Sequence, residues 1–135
     1  VCHKAHNNET IDLYGRGKVE FDLTYIDDVI EYIRRAIHFD FSKPTTILNL
    51  GSGFSHTIEE VVNILESHLT SSGGKKLARN YVDSPVQKNT ISVTKLHQTL
   101  GTFQQVTLVQ GLKYQLAFLP KNKEGTINSS ANPTV

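Results

Sequence analysis

"FDLTYIDDVIEYI", residues Phe21–Ile33, opens as a β-rich run and closes in helical periodicity, with Asp27 and Asp28 adjacent at the join. Ile26, Val29, Ile30, Ile33 and Ile37 recur on one helical face, which predicts an amphipathic helix to about His38. A strand running straight into such a helix points to an α/β fold. In the first helical turn a carboxylate meets unpaired backbone N–H groups and the positive end of the helix dipole. Thr24 with Asp27 has the spacing of a capping pair. A catalytic pair would need one carboxylate desolvated enough to hold its proton near neutral pH, and a metal would need further ligands from elsewhere. Thr24, Asp27 and Asp28 are therefore read as structural caps, with a polar tie from the helix to a neighbouring strand as the alternative.

Working outward, "TIDLYGRGKVEFDLTY" (Thr10–Tyr25) holds two β-rich runs around Gly-Arg-Gly and reads as a hairpin or tight strand pair. "TTILNL" (Thr45–Leu50) is a continuous apolar run of the kind expected for a strand covered on both faces. Gly51-Ser52-Gly53 follows it; such a turn either offers its amides to an anion or lets a buried strand turn tightly into a helix. Thr57 and Glu60 make a capping box for a helix to about residue 70. A shorter helix is expected over Ser92–Leu100, closed by Gly101, and a last one over Thr107–Leu119. The fold class is thus α/β: a strand pair, a parallel-type βα unit (strand 45–50, helix 57–70) and two closing helices. Residues 1–119 form the folded segment, and 120–135, polar and without periodicity, are expected to be a disordered tail.

With 135 residues, one domain is expected. A net charge of +1 with interspersed signs points to neither nucleic acid nor a membrane surface as partner. Cys2 is the only cysteine, which suits a reducing, cytoplasmic compartment. Starting at Val1 and containing no Met, the chain is expected to be a segment of a longer protein. Cys2, His3 and His6 cluster, but zinc wants four ligands and nothing nearby completes the set. An exposed edge at Ile47–Leu50 would recruit another chain, so a homo-oligomer is expected.

"IDLYGRGKVEFDLTYIDDVIEYI" resembles the segment written roughly I-x-V-Y-G-x-G-x-x-x-R-D-F-T-Y-V-D-D-V in NAD-dependent nucleotide-sugar epimerases and dehydratases, the extended short-chain dehydrogenase/reductase family. "ILNLGSGFSHTIEEVVNIL" resembles the family's next strand–turn–helix, and "TKLHQTLG" with "TLVQGLKYQL" its closing helices. The Thr-Tyr-Ile-Asp-Asp run looks closest to UDP-glucuronate 4-epimerases. The resemblance implies the C-terminal, substrate-side part of such an enzyme. NAD would be the cofactor of the parent enzyme, not bound by this segment alone, and the partners would be a nucleotide-diphosphate sugar and the remainder of the parent chain.

Two family features have no counterpart. No G-x-x-G-x-x-G turn is present, and the one Tyr-x-x-x-Lys spacing, Tyr14 to Lys18, spans the Gly-Arg-Gly turn rather than a helix. No catalytic residue is therefore assigned. By resemblance, Asp12 and Tyr14 would line the nucleotide base pocket, Tyr14 alternatively being an exposed strand residue. The arginine that grips the diphosphate is replaced by Phe21, with Arg16 nearby either as a substitute or as a solvated turn residue. By resemblance a second phosphate-gripping arginine would precede a Gly-Asp; Arg79 and Asp83 lie in that region, though Val82 stands at the glycine and the spacing differs. The reading is a nucleotide-sugar-binding segment that is not catalytic alone. The alternative is a non-catalytic binding module whose diphosphate site has decayed.

Overall fold

The computed structural model describes residues 1–119, so the expected tail lies outside the described residues. The chain runs α1 (Cys2–His6), β1 (Ile11–Tyr14), a 3-10 turn (Gly15–Gly17), β2 (Glu20–Asp22) and α2 (Ile26–His38). It continues with β3 (Ser55–Thr57), α3 (Ile58–Ser71), β4 (Arg79–Val82), β5 (Lys88–Asn89), α4 (Thr94–Leu100) and α5 (Leu108–Phe118). None of the described helices is long and apolar enough to cross a membrane. The mixed α/β class and both closing helices match the expectation from sequence.

Strand pairing does not. The two runs around Gly-Arg-Gly are both strands, but they join different sheets. β1 pairs in parallel with β4, Ile11 opposite Arg79 and Tyr14 opposite Val82. β2 lies between β3, antiparallel, and β5, parallel. The reason lies in what each strand buries. Ile11 and Leu13 point into a core with Val61, Val62 and Leu65 of α3 and Leu116 of α5, whereas β2 has no fully buried residue. The turn between them also fails as a hairpin: Gly15, Arg16 and Gly17 all have positive φ, redirecting the chain instead of folding it back.

The second correction concerns Thr45–Leu50, which has no ladder partner among the described residues. Its side chains do alternate, with Leu48 and Leu50 packed on a second core of Tyr32, Leu96 and Leu100 while Ile47 faces outward. One face is therefore open, not covered. The strand that enters α3 is β3, antiparallel to its neighbour; the parallel crossovers are β1 to β4 and β2 to β5.

The two helix starts differ. Thr57 and Glu60 close a reciprocal capping box on α3. At α2 the N-cap is Tyr25, and no side chain caps it. Thr24 instead donates its hydroxyl to Asp22, 3.1 Å away. Asp27 points to solvent, while Asp28 is 4% exposed and accepts the Val106 amide at 3.1 and 3.2 Å through its two oxygens. Asp28 is thus a tie to the segment leading into α5, and capping by Thr24 is not observed. Asp28→Ala should cost about 1–3 kcal/mol by stranding that amide, and Asp27→Ala no more than about 0.5 kcal/mol. Urea denaturation of the two variants reads the contrast.

Candidate functional site

In a parallel strand pair, ligands approach the carboxyl ends, where backbone groups are released from the ladder and loops converge. Here those ends are Tyr14 and Val82. The Gly15–Gly17 turn rises directly above them. Gly15 sits at φ +57, donates its amide to the Ser84 hydroxyl at 2.7 Å, and would bring an added Cβ to 2.9 Å from Val19. That hydrogen bond locks the turn to the chain leaving β4. The turn thrusts Arg16 outward, its guanidinium 3.4 Å from the Asp83 carboxylate and 6.0 Å from the centre of the Tyr81 ring. Both members of this pair are mostly in solvent, so the contact is worth about 0–1 kcal/mol and leaves Arg16 available to a stronger anion. Tyr14 stands exposed beside it, and Tyr81 donates its hydroxyl to Glu59 at 3.1 Å.

Tyr14, Arg16 and Asp83 are therefore brought together, and Tyr81, Ser84 and Glu59 join them. No sequence signal singled out these last three: the β1·β4 pairing brings Tyr81 and Ser84 there, and the first turn of α3 brings Glu59. Two other expected site residues are committed elsewhere. Asp12 accepts from Lys4 at 3.1 Å and Asn80 at 2.9 Å. Those contacts, Asn80 first, hold its carboxyl below the usual range. Arg79 lies at the opposite end of β4, bound to Glu66 and Asn63 at 2.8 Å each, while Glu66 also accepts the Leu77 amide. Its guanidinium pins β4 onto α3 and is not offered to a phosphate.

The Gly51-Ser52-Gly53 turn does hold an anion, and the anion is the protein's own. Asp22 accepts the Ser52 and Gly53 amides at 2.9 Å each, the Ser52 hydroxyl at 2.7 Å and the Thr24 hydroxyl at 3.1 Å. Burial pushes this carboxyl upward, but those hydrogen bonds outweigh it and hold the group below the usual carboxylate range. A dinucleotide pyrophosphate would have to displace that carboxylate, so this turn does not fit one. Phe21 lies on β2 between His56 and Asn89 and offers no charge. The cleft of about 240 Å³ between Leu23–Tyr25 and α5 is apolar, and no Lys or Arg lines it. Among the described residues no group of His, Cys, Asp or Glu is arranged to hold a metal, and Cys2 to His6 simply form α1.

No family profile matches the chain. An uncharacterized protein of Methanocaldococcus jannaschii is 32% identical over 114 residues, covering 84% of this chain and 34% of that protein. A probable UDP-glucuronate 4-epimerase of Rhizobium meliloti is 52% identical over 33 residues, covering 24% of this chain and 10% of that one. Among solved structures, the UDP-glucuronic acid 4-epimerase of Bacillus cereus in complex with UDP-glucuronic acid and NAD superposes with a TM-score of 0.70 at 23% identity, covering 85% of this chain and 37% of the enzyme. The dTDP-glucose 4,6-dehydratase of Bacillus anthracis in complex with NAD gives 0.71 at 24%, covering 91% and 38%. Such neighbours are NAD-dependent nucleotide-sugar epimerases and dehydratases of the extended short-chain dehydrogenase/reductase family. The chain spans about a third of the length of the M. jannaschii relative.

Proposed function

Because its fold is that of a segment of the NAD-dependent nucleotide-sugar epimerases and dehydratases, we propose that this chain is the nucleotide-sugar-binding, C-terminal part of such an enzyme and is not catalytic alone. The observation that supports it most is the cluster at the carboxyl ends of β1 and β4: a guanidinium in an exposed ion pair with Asp83 and over the exposed ring of Tyr81, two residues along the chain from the exposed Tyr14. An aromatic face suits a nucleobase, and a guanidinium suits a diphosphate. Asp83 is the counter-ion that a diphosphate would replace. Its partners would be the nucleotide-diphosphate sugar, the cofactor domain and a second copy of the chain.

NAD would supply the redox chemistry of the whole enzyme. The Gly51–Gly53 turn is filled by Asp22. A second reading, a binding module with a weakened diphosphate grip, is favoured by Phe21 at the position where the family pattern has arginine.

Calorimetry of the 135 residues with UDP-glucuronic acid, and a coupled assay with NAD added, test the proposal. Half a pocket bears the full cost of immobilising its ligand. Binding should therefore fall at about 1 mM or weaker, roughly −4 kcal/mol, with no turnover above background. Micromolar binding or measurable epimerisation would mean that the site is complete within these residues.

A further inference from the structure

We propose that Glu59 is the residue that positions Arg16 for its ligand, acting through the Tyr81 ring and the Gly15–Gly17 turn. This rests on the reading of Arg16 as the group that grips a diphosphate, and it names what holds that group in place. Arg16 stands at φ +53, between Gly15 at +57 and Gly17 at +80. A residue with a side chain is strained in that left-handed region, and the conformation persists where neighbouring contacts over-determine it. Here the turn is held at both ends. On one side Gly15 donates its amide to the Ser84 hydroxyl at 2.7 Å. On the other, Gly17 lies so close to Glu59 that an added Cβ would stand 3.0 Å from the Glu59 Cβ.

Glu59 also fixes the surface on which the arginine rests. Tyr81 stands opposite Leu13 in the β1·β4 ladder, on the side covered by α3, and its hydroxyl donates to Glu59 at 3.1 Å. The Arg16 guanidinium lies over this same ring, 6.0 Å from its centre. Tyr81 is 44% exposed, so burial does not hold the ring still. A phenol that donates to a carboxylate is also richer in electrons, which suits its ring to a cation. One carboxylate thus meets both the turn that raises Arg16 and the aromatic face beneath it.

The start of α3 does not depend on this side chain, because the capping box there is made by Thr57 and Glu60. The ordinary value of an acidic residue at Glu59 is its charge near the positive end of the helix. The two roles make opposite demands: the helix end needs charge, and the Tyr81 contact needs reach. The charge itself opposes a phosphate at this place, where Asp83 already sets one carboxylate 3.4 Å from Arg16.

That opposition supplies the test. Glu59→Gln keeps the reach and the acceptor and drops the charge, whereas Glu59→Asp keeps the charge and is one methylene too short. UDP-glucuronic acid is titrated by NMR into wild type, both variants and Tyr81→Phe, with circular dichroism confirming that each is folded. Glu59→Gln should bind at least as tightly as wild type. Glu59→Asp and Tyr81→Phe should each weaken binding by about three- to tenfold, the loss of one hydrogen bond. The double variant should lose no more than the weaker single, since both remove the same contact. In the ligand-free proteins, nitrogen relaxation of the Arg16 Nε–Hε vector should give an order parameter lower by about 0.2 or more in Glu59→Asp and Tyr81→Phe than in wild type and Glu59→Gln. This readout needs no nucleotide sugar: if wild type binds nothing, the ligand reading falls and the Arg16 order parameters alone decide the role of Glu59. An Arg16 vector equally ordered in all four proteins would overturn the proposal. So would wild-type binding by Glu59→Asp with weakened binding by Glu59→Gln, the pattern of a charge serving the helix end.

Discussion

Leu65→Ala should lower the unfolding free energy by about 3–5 kcal/mol, the range for a fully buried leucine whose site cannot collapse. Leu65 is 0% exposed and packs among Leu13, Val62 and Leu116. Those neighbours come from β1, α3 and α5, so no single element can shift to fill the hole. A domain of this size has about 5–15 kcal/mol in hand, and the loss would approach half of it. Function would follow, because Leu13 anchors β1 one residue before Tyr14 does its proposed work. Urea unfolding should show an earlier midpoint with unchanged slope. A loss below about 1 kcal/mol would mean that this core is not the one holding β1 in place.

Asp22→Ala should cost about 2–4 kcal/mol, the scale of hydrogen bonds to a charged group plus stranded amides. Four donors converge on that carboxylate, two of them backbone amides of Ser52 and Gly53. Its removal frees a turn in which Gly53 is held at φ +79. The effect should depend on pH. Asp22 titrates below its ordinary value when folded, so it stabilises the fold above about pH 4, the unfolded value, and that contribution is lost as pH falls through the folded value. Wild type should therefore lose stability across that window more steeply than Asp22→Ala. Parallel pH profiles for the two proteins would exclude Asp22 as the cause.

What could be read in advance was local. The spacing of Ile26 to Ile37 gave α2, Thr57 with Glu60 gave the start of α3, and Thr107 before an apolar run gave α5, where Gln110 completes a second capping box. These signals lie within one or two turns of chain, which is the range of helical hydrogen bonding. β1 pairs with a strand more than sixty residues away, and nothing in Ile11–Tyr14 distinguishes Arg79–Val82 from a nearer partner. Thr24 misled for a related reason: its hydroxyl was expected to cap a helix three residues on, but a carboxylate two residues back is nearer and charged. The site divided the same way. Of the proposed site, Tyr14 is singled out by the resemblance and Arg16 only as a substitute for the arginine absent at Phe21. The role of Asp83 and the company of Tyr81 and Ser84 depend on β4 lying beside β1, and Arg79 was drawn away by Glu66 on α3.

The proposed ligand position is tested most directly by backbone amide NMR during titration with UDP-glucuronic acid, run in parallel on Arg16→Ala. Shifts should concentrate at Tyr14–Gly17 and Tyr81–Ser84, and uridine, lacking the diphosphate, should perturb Tyr14 while barely moving Arg16. In Arg16→Ala, affinity should fall by roughly tenfold or more, the loss of one charge-assisted grip of about 1.5–3 kcal/mol. Shifts centred on Ser52 and Gly53 or on Arg79, or a titration indifferent to Arg16, would contradict the assignment of the site to the carboxyl ends of β1 and β4.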